Sequence, residues 1–277
     1  CLTLREADEI SAATARAGVV VQVGYMRRYA PAFVEACRRV GELGKIRLAR
    51  VHDVIGANPL IIGKTSRVVR GKDISEELKA EATALQDRLL VEALGEDALP
   101  GHKRAYLLLL GLSTHDISAM RELLGMPHGV LYARWYDDLP LEAPTKPADS
   151  RPGGRYITAA FDYGGYTCHF ETGVDTIPRF DGHLEVFGDD QVLKVQYDTP
   201  YVRNLPIRLL ITEADRAGRV VRSEVHPGWG DAFVEEWIAF HTNVTEGRTP
   251  KTSPADFRQD LELFQTMMAH IRGRGGS

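Results

Sequence analysis

His115 is the residue whose type and neighbours best suit it to move a proton. It lies in Ser113-Thr114-His115-Asp116-Ile117, within a helical pattern whose apolar members Leu108, Leu112, Met120, Leu123 and Leu124 mark one buried face. His115 falls at the edge of that face, where an imidazole can give or take a proton near neutral pH. A histidine packed at the rim of the core is the plainer alternative, and the residues alone favour it. Asp116 points about 100° away round a helix axis. It therefore reads as a cap or salt-bridge residue rather than a group that orients His115.

A second constellation follows the β-branched run Val19-Val20-Val21-Gln22-Val23, in Gly24-Tyr25-Met26-Arg27-Arg28-Tyr29-Ala30-Pro31. A guanidinium matches phosphate or carboxylate bidentately, so Arg27 and Arg28 could clamp an anion. A solvated basic loop is an equal alternative. His169 and Glu171 alternate along a strand pattern and share a face that could look into a cleft. Without a third ligand they make no metal site, and no metal is expected. Trp237 and His241, four apart, read as residues packed against a sheet. Asp256 and Asp260 read as charges favourable at a helix start, and Cys168 as a small hydrophobe.

The elements that must position these groups begin with Thr3-Leu4-Arg5-Glu6, a capping-box pattern. The helix it opens should run to about Ala17, bury Leu4, Ala7, Ile10, Ala13 and Ala17, and stop at Gly18. Residues 19–23 read as a parallel strand buried on both faces. A helix from Pro31 to about Gly41 and a half-solvated strand over 46–55 follow. The segment 56–102 carries a charged helix from about Ser75 to Leu94, punctuated by Gly95, Pro100 and Gly101. The helix holding His115 should span about 103–124.

From 128 to 225 the pattern is seven short strands, with Tyr163-Gly164-Gly165-Tyr166 as one hairpin turn. Pro140 to Gly154 reads as a polar loop. Two helices follow, from about Asp231 to Glu246 and from Ser253-Pro254, before a frayed tail at 273–277. The expected fold class is mixed α/β, or α+β: a terminal helix–strand piece followed by a mostly antiparallel, open-faced sheet with flanking helices.

The 277 residues carry a formal charge of −4, from 34 basic and 38 acidic side chains, which gives no overall pull toward nucleic acid or an anionic membrane. Three cysteines without metal or CxxC spacing fit a reducing compartment, and the apolar runs are too short to span a bilayer. A cytoplasmic protein without nucleic-acid or membrane partners is expected.

Several segments together resemble the glucose–fructose oxidoreductase/inositol dehydrogenase (Gfo/Idh/MocA) family. They are Val21 to Pro31, Gly41-Glu42-Leu43-Gly44-Lys45-Ile46, His115-Asp116 before Arg121-Glu122-Leu123-Leu124-Gly125, Leu184 to Gly188, and the two closing helices. The resemblance implies an NAD(P)-dependent oxidoreductase acting on a sugar, cyclitol or related polyol, with His115 as acid/base. It implies that Tyr25, Met26 and Arg27 border the cofactor, NAD or NADP, and that Arg28, Tyr29, Thr114, Asp116 and His169 border the substrate. A homodimer or homotetramer through the open sheet is also implied.

Against that pattern, the sequence holds no strand–GxGxxG–helix turn for a pyrophosphate. The family's Glu-Lys-Pro lysine would fall before Cys1, and Gly111 stands where an acid often precedes the histidine by four residues. Residues 1–29 are therefore expected to be the end of a Rossmann domain otherwise lacking. Residues 30–277 are expected to be the substrate and oligomerisation domain, with a helical insertion at about 56–102 serving as a lid or an oligomer contact. Such a chain should bind NAD poorly. The alternative function is a non-catalytic ligand-binding or oligomerisation module on the same scaffold.

Overall fold

A computed structural model describes residues 1–56, 62–63, 65–143 and 154–273. Most of the loop expected at 140–154 and of the tail at 273–277 lies outside the described residues, as does part of the segment at 56–102. Helix α1, Leu4–Ala17, has the full capping box between Thr3 and Glu6, and Gly18 closes it at φ 62°. Its expected apolar stripe is only partly buried: Ala7 is inside, whereas Ile10, Ala13 and Ala17 are exposed. Residues 19–23 do not form the expected buried strand. They have no ladder partner among the described residues and are tied at their end by Val23 N–H to the Thr252 carbonyl at 2.7 Å.

Helix α2 is Pro31–Glu42, with Pro31 in its first turn. Strand β1, Leu48–Ile55, is followed by helix α3, Glu76–Leu94, capped by Ser75. Pro100 begins the next element rather than ending the last: α4, Pro100–Leu108, passes through a wide π turn, Leu109–Ser113, into α5, Thr114–Leu124. Seven strands follow: β2 Gly129–Asp137, β3 Arg155–Asp162, β4 Thr167–Val174, β5 Phe180–Phe187, β6 Gln191–Tyr197, β7 Arg208–Ala214 and β8 Val220–Val225. Helices α6, Ala232–Glu246, and α7, Pro254–Ile271, end the described chain.

The eight strands make one sheet in the order β2-β3-β4-β1-β5-β6-β7-β8, parallel only between β1 and β4. Alternation sorts the side chains of each strand onto two faces. Ala49 and Val51 of β1, Cys168 and Phe170 of β4, Leu184 and Val186 of β5, and Leu193, Val195 and Tyr197 of β6 are all buried in one core. Phe33, Tyr106, Ile117, Met120, Phe264 and Met267 cover them from the helices. At about 25 cal/mol per Å² of apolar surface removed from water, this layer is the main source of stability.

The other face stays open and polar at its centre, where His52 stacks on His183 with ring centroids 5.0 Å apart. Helix α6 departs from expectation. None of its residues is buried, and Trp237, expected against the sheet, is 67% exposed. Among the described residues no helix is long and apolar enough to cross a membrane, and no group of three or more His, Cys, Asp or Glu could hold a metal ion.

Candidate active site

Because β1 and β4 run parallel, their carboxyl ends open on the same edge of the sheet, where open sheets commonly hold ligands. A cavity of about 270 Å³ lies there. Ile55, Val174 and Phe180 wall it from the ends of β1 and β4 and the start of β5. Met26 and Arg27 come from a tight 3-10 turn, Met26–Tyr29, while Leu107, Leu108, Gly111, Leu112 and His115 come from the helix above. Pro200 and Tyr201 complete the lining. The π turn immediately before α5 is of a kind often found at functional sites. Here both Gly111 and His115 reach the cavity wall.

His115 is the one imidazole on that wall. Its Nδ1 is buried without a hydrogen-bond partner among the described residues. Burial, and then the charge of Arg27, push its pKa down to about 4, with Asp53 opposing. The ring is therefore uncharged at neutral pH, the form a general base needs, and burial makes it a weak one. The Tyr25 ring meets it edge-on, 5.9 Å between centroids at 74°. The Tyr25 hydroxyl donates to Asp260 Oδ2 at 2.7 Å and shares a 2.6 Å hydrogen bond with Thr114 Oγ1. Arg121 Nε donates to the other Asp260 oxygen at 2.6 Å, and burial raises Asp260 to about 6.

Arg27 is buried beneath the cavity. Its Nη1 donates to Asp53 Oδ2 at 3.0 Å and also to Asp116 Oδ1, while its guanidinium lies 4.8 Å from the centre of the Tyr197 ring. Asp53 has room because Gly182 faces it on β5; a Cβ there would come within 3.1 Å of Asp53 Oδ1. Burial, with Asp53 nearby, holds Asp116 well above the usual carboxylate range against the pull of Arg27.

The structure thus brings Met26, Arg27 and His115 of the expected site to the cavity, and sets Tyr25, Thr114 and Asp116 in the layer behind them. The other three lie elsewhere. Arg28 donates to Glu122 Oε2 at 2.5 Å and to Asp256, so its charge is matched within the protein. Tyr29 hydrogen-bonds Thr252 at 2.8 Å. His169 points to the open face of the sheet, opposite the helices, because it alternates with the buried Cys168 and Phe170. Asp256 and Asp260 are not simple helix-start charges but the acceptors of Arg28, Arg121 and Tyr25.

Sequence reasoning missed Asp53, although a carboxylate sharing strand parity with Ala49 and Val51 was the available signal. A larger hollow of about 470 Å³ lies near Trp135, Tyr136, Asp137 and Tyr156. Its ionisable groups are engaged: Arg104 holds Asp137 at 2.6 Å, and His102 Nδ1 accepts from Leu99 N–H at 3.2 Å. The smaller cavity is the better candidate.

No protein-family model matches the sequence, and no curated protein does either. Solved structures do match. A levoglucosan dehydrogenase in complex with NADH and levoglucosan aligns with a TM-score of 0.65 at 16% identity, over 99% of this chain and 70% of that one. UDP-N-acetylglucosamine 3-dehydrogenase from Acidithiobacillus ferrooxidans aligns with a TM-score of 0.60 at 15% identity, over 99% and 69%. The aldose-aldose oxidoreductase from Caulobacter crescentus, complexed with glycerol, aligns at 0.61 and 16%, over 99% and 68%. At these identities the likeness establishes the fold: the open eight-stranded sheet with flanking helices matches the C-terminal domain of Gfo/Idh/MocA oxidoreductases.

Proposed function

We propose that this chain provides the substrate side of an NAD(P)-dependent oxidoreductase that interconverts a hydroxyl and a carbonyl on a sugar, cyclitol or related polyol. The observation that carries the proposal is His115, uncharged and lacking a partner at Nδ1, on the wall of a cavity at the carboxyl ends of β1 and β4. The neighbours support the class, since one is a levoglucosan dehydrogenase in complex with NADH and levoglucosan and another is a UDP-N-acetylglucosamine 3-dehydrogenase.

Met26 and the apolar residues Ile55 and Leu108 suit the face of a nicotinamide ring. The sequence offers no glycine-rich turn for the pyrophosphate. A bound nicotinamide supplies or accepts the hydride. His115 takes the hydroxyl proton in the oxidative direction and returns it in the reductive one. Leu108, Leu112 and Phe180 keep water from the reacting carbon.

A non-catalytic ligand-binding role is the second reading, favoured by Gly111, which leaves His115 without an acid one helical turn earlier. The test follows nicotinamide absorbance with NAD and NADP across a panel of polyols and sugars, for the native chain and for His115→Asn. Turnover abolished by the substitution, with ligand binding retained, supports the oxidoreductase. Ligand-dependent movement of the His115 NMR signal without turnover on any substrate supports the binding module.

A further inference from the structure

Arg27 Nη1 carries two carboxylates at once, one oxygen from Asp53 and one from Asp116. Each carboxylate has a second oxygen, Asp53 Oδ1 and Asp116 Oδ2, that is fully buried and has no donor among the described residues. Two carboxyl groups held on a single nitrogen bring both side chains into one buried site. Two ionised carboxylates cannot hydrogen-bond to each other, because neither has a proton to give. A buried acceptor without a donor is rare and costly. Two like charges in one buried site force one of them to take a proton.

We infer that Asp53 and Asp116 share a single proton between Oδ1 and Oδ2, which makes them with Arg27 a neutral cluster that positions and tunes His115. The charge count is simple: two carboxylates, one guanidinium and one proton sum to zero. Burial, with Asp53 beside it, raises the Asp116 pKa well above the usual carboxylate range, the direction that count requires. The groups facing the pair are Arg27 from the 3-10 turn, Tyr197 from β6, whose hydroxyl is also buried without a partner, and His115 itself from α5. A neutral cluster leaves His115 uncharged. A doubly ionised pair would draw a proton onto His115 and remove its capacity to accept one.

The inference rests on His115 as the acid/base for its functional meaning but not for its test. Infrared spectroscopy of the native chain at neutral pH should show the carbonyl band of a protonated carboxyl group, absent from Asp116→Asn. Asp116→Asn removes the shared proton and one carboxylate together, so the cluster keeps its charge. The NMR titration midpoint of His115 should then shift by less than about half a pH unit.

If the pair is doubly ionised instead, the band is missing from the native spectrum, and Asp116→Asn lowers the His115 midpoint by about one unit or more. Either result overturns the inference. Should Asp116→Asn fail to fold, Asp53→Asn makes the same comparison, and the native spectrum decides alone. Failure of the oxidoreductase assignment would show in turnover and leave these measurements untouched.

Discussion

Tyr25 and His115 are locked together from opposite ends of the site, the tyrosine ring edge-on to the imidazole at 5.9 Å and 74°. The hydroxyl that fixes this ring is tied to Thr114 and Asp260 rather than to the cavity. Tyr25→Phe should therefore act on stability and leave the ring contact in place. It leaves a buried carboxylate short of one donor, at a cost of about 1–3 kcal/mol. Urea unfolding measures that loss, and an unmoved His115 NMR signal confirms that the edge contact survives. A loss of ligand binding without a loss of stability would place the hydroxyl in the cavity instead.

Arg28 sets up a second contrast. Its guanidinium is buried between Glu122 and Asp256, and Arg121 also reaches Asp256 at 3.2 Å. Arg28→Ala removes one of the two cations on each carboxylate, Glu122 keeping Lys251 at 2.7 Å and Asp256 keeping Arg121, so the loss should fall short of the roughly 3–5 kcal/mol of breaking a buried pair outright. Thermal unfolding should show that loss, while anion and cofactor affinity stay unchanged. Weakened affinity at native stability would restore the anion clamp that the residue type alone suggests.

These two cases show what the sequence could carry. Helix α1 was legible because its signals are local: the Thr3–Glu6 box and the left-handed Gly18 are only a few residues from the backbone groups they satisfy. The strands were legible from alternation. The central place of β1 was not, because its parallel pairing with β4 joins residues such as Val51 and Phe170 that are far apart in the chain. His115 stood out by type and helical position. The partners of Arg27 and Arg28 were not legible because a sequence displays donors without their acceptors, which lie 26, 89, 94 and 228 residues away. Once those carboxylates are in place, the arginines' charge is matched inside the protein.

The stability of the chain should also carry the signature of His115. Its pKa is about 4 in the folded protein and about 6.5 when unfolded. A lowered histidine pKa means that the unfolded chain binds the proton first as pH falls. The contribution of His115 is thus intact above about pH 6.5, is lost progressively toward pH 4, and amounts to at most roughly 3 kcal/mol. Subtracting the urea stability of His115→Asn from that of the native chain, pH by pH, isolates this term from the carboxylates. A difference that is flat between those limits would mean that the imidazole titrates normally and is not buried as described.

Gly111 offers the last and most direct lever on the site. A Cβ built there meets nothing within 4 Å, so the glycine is not required by crowding, and its φ is not in the left-handed region. Gly111→Ala should therefore stabilise the chain by about 0.5–1 kcal/mol, as an ordinary glycine within a helix would. The added methyl sits on the cavity wall and should weaken binding of any ligand that fills the space beside His115. Gly111→Asp goes further. A carboxylate on the same wall favours the imidazolium, so the His115 midpoint should rise from about 4 toward its ordinary value. NMR titration of the two variants separates space from charge. Alanine should leave the midpoint alone and aspartate should raise it, and equal midpoints in both would mean that residue 111 does not face the imidazole.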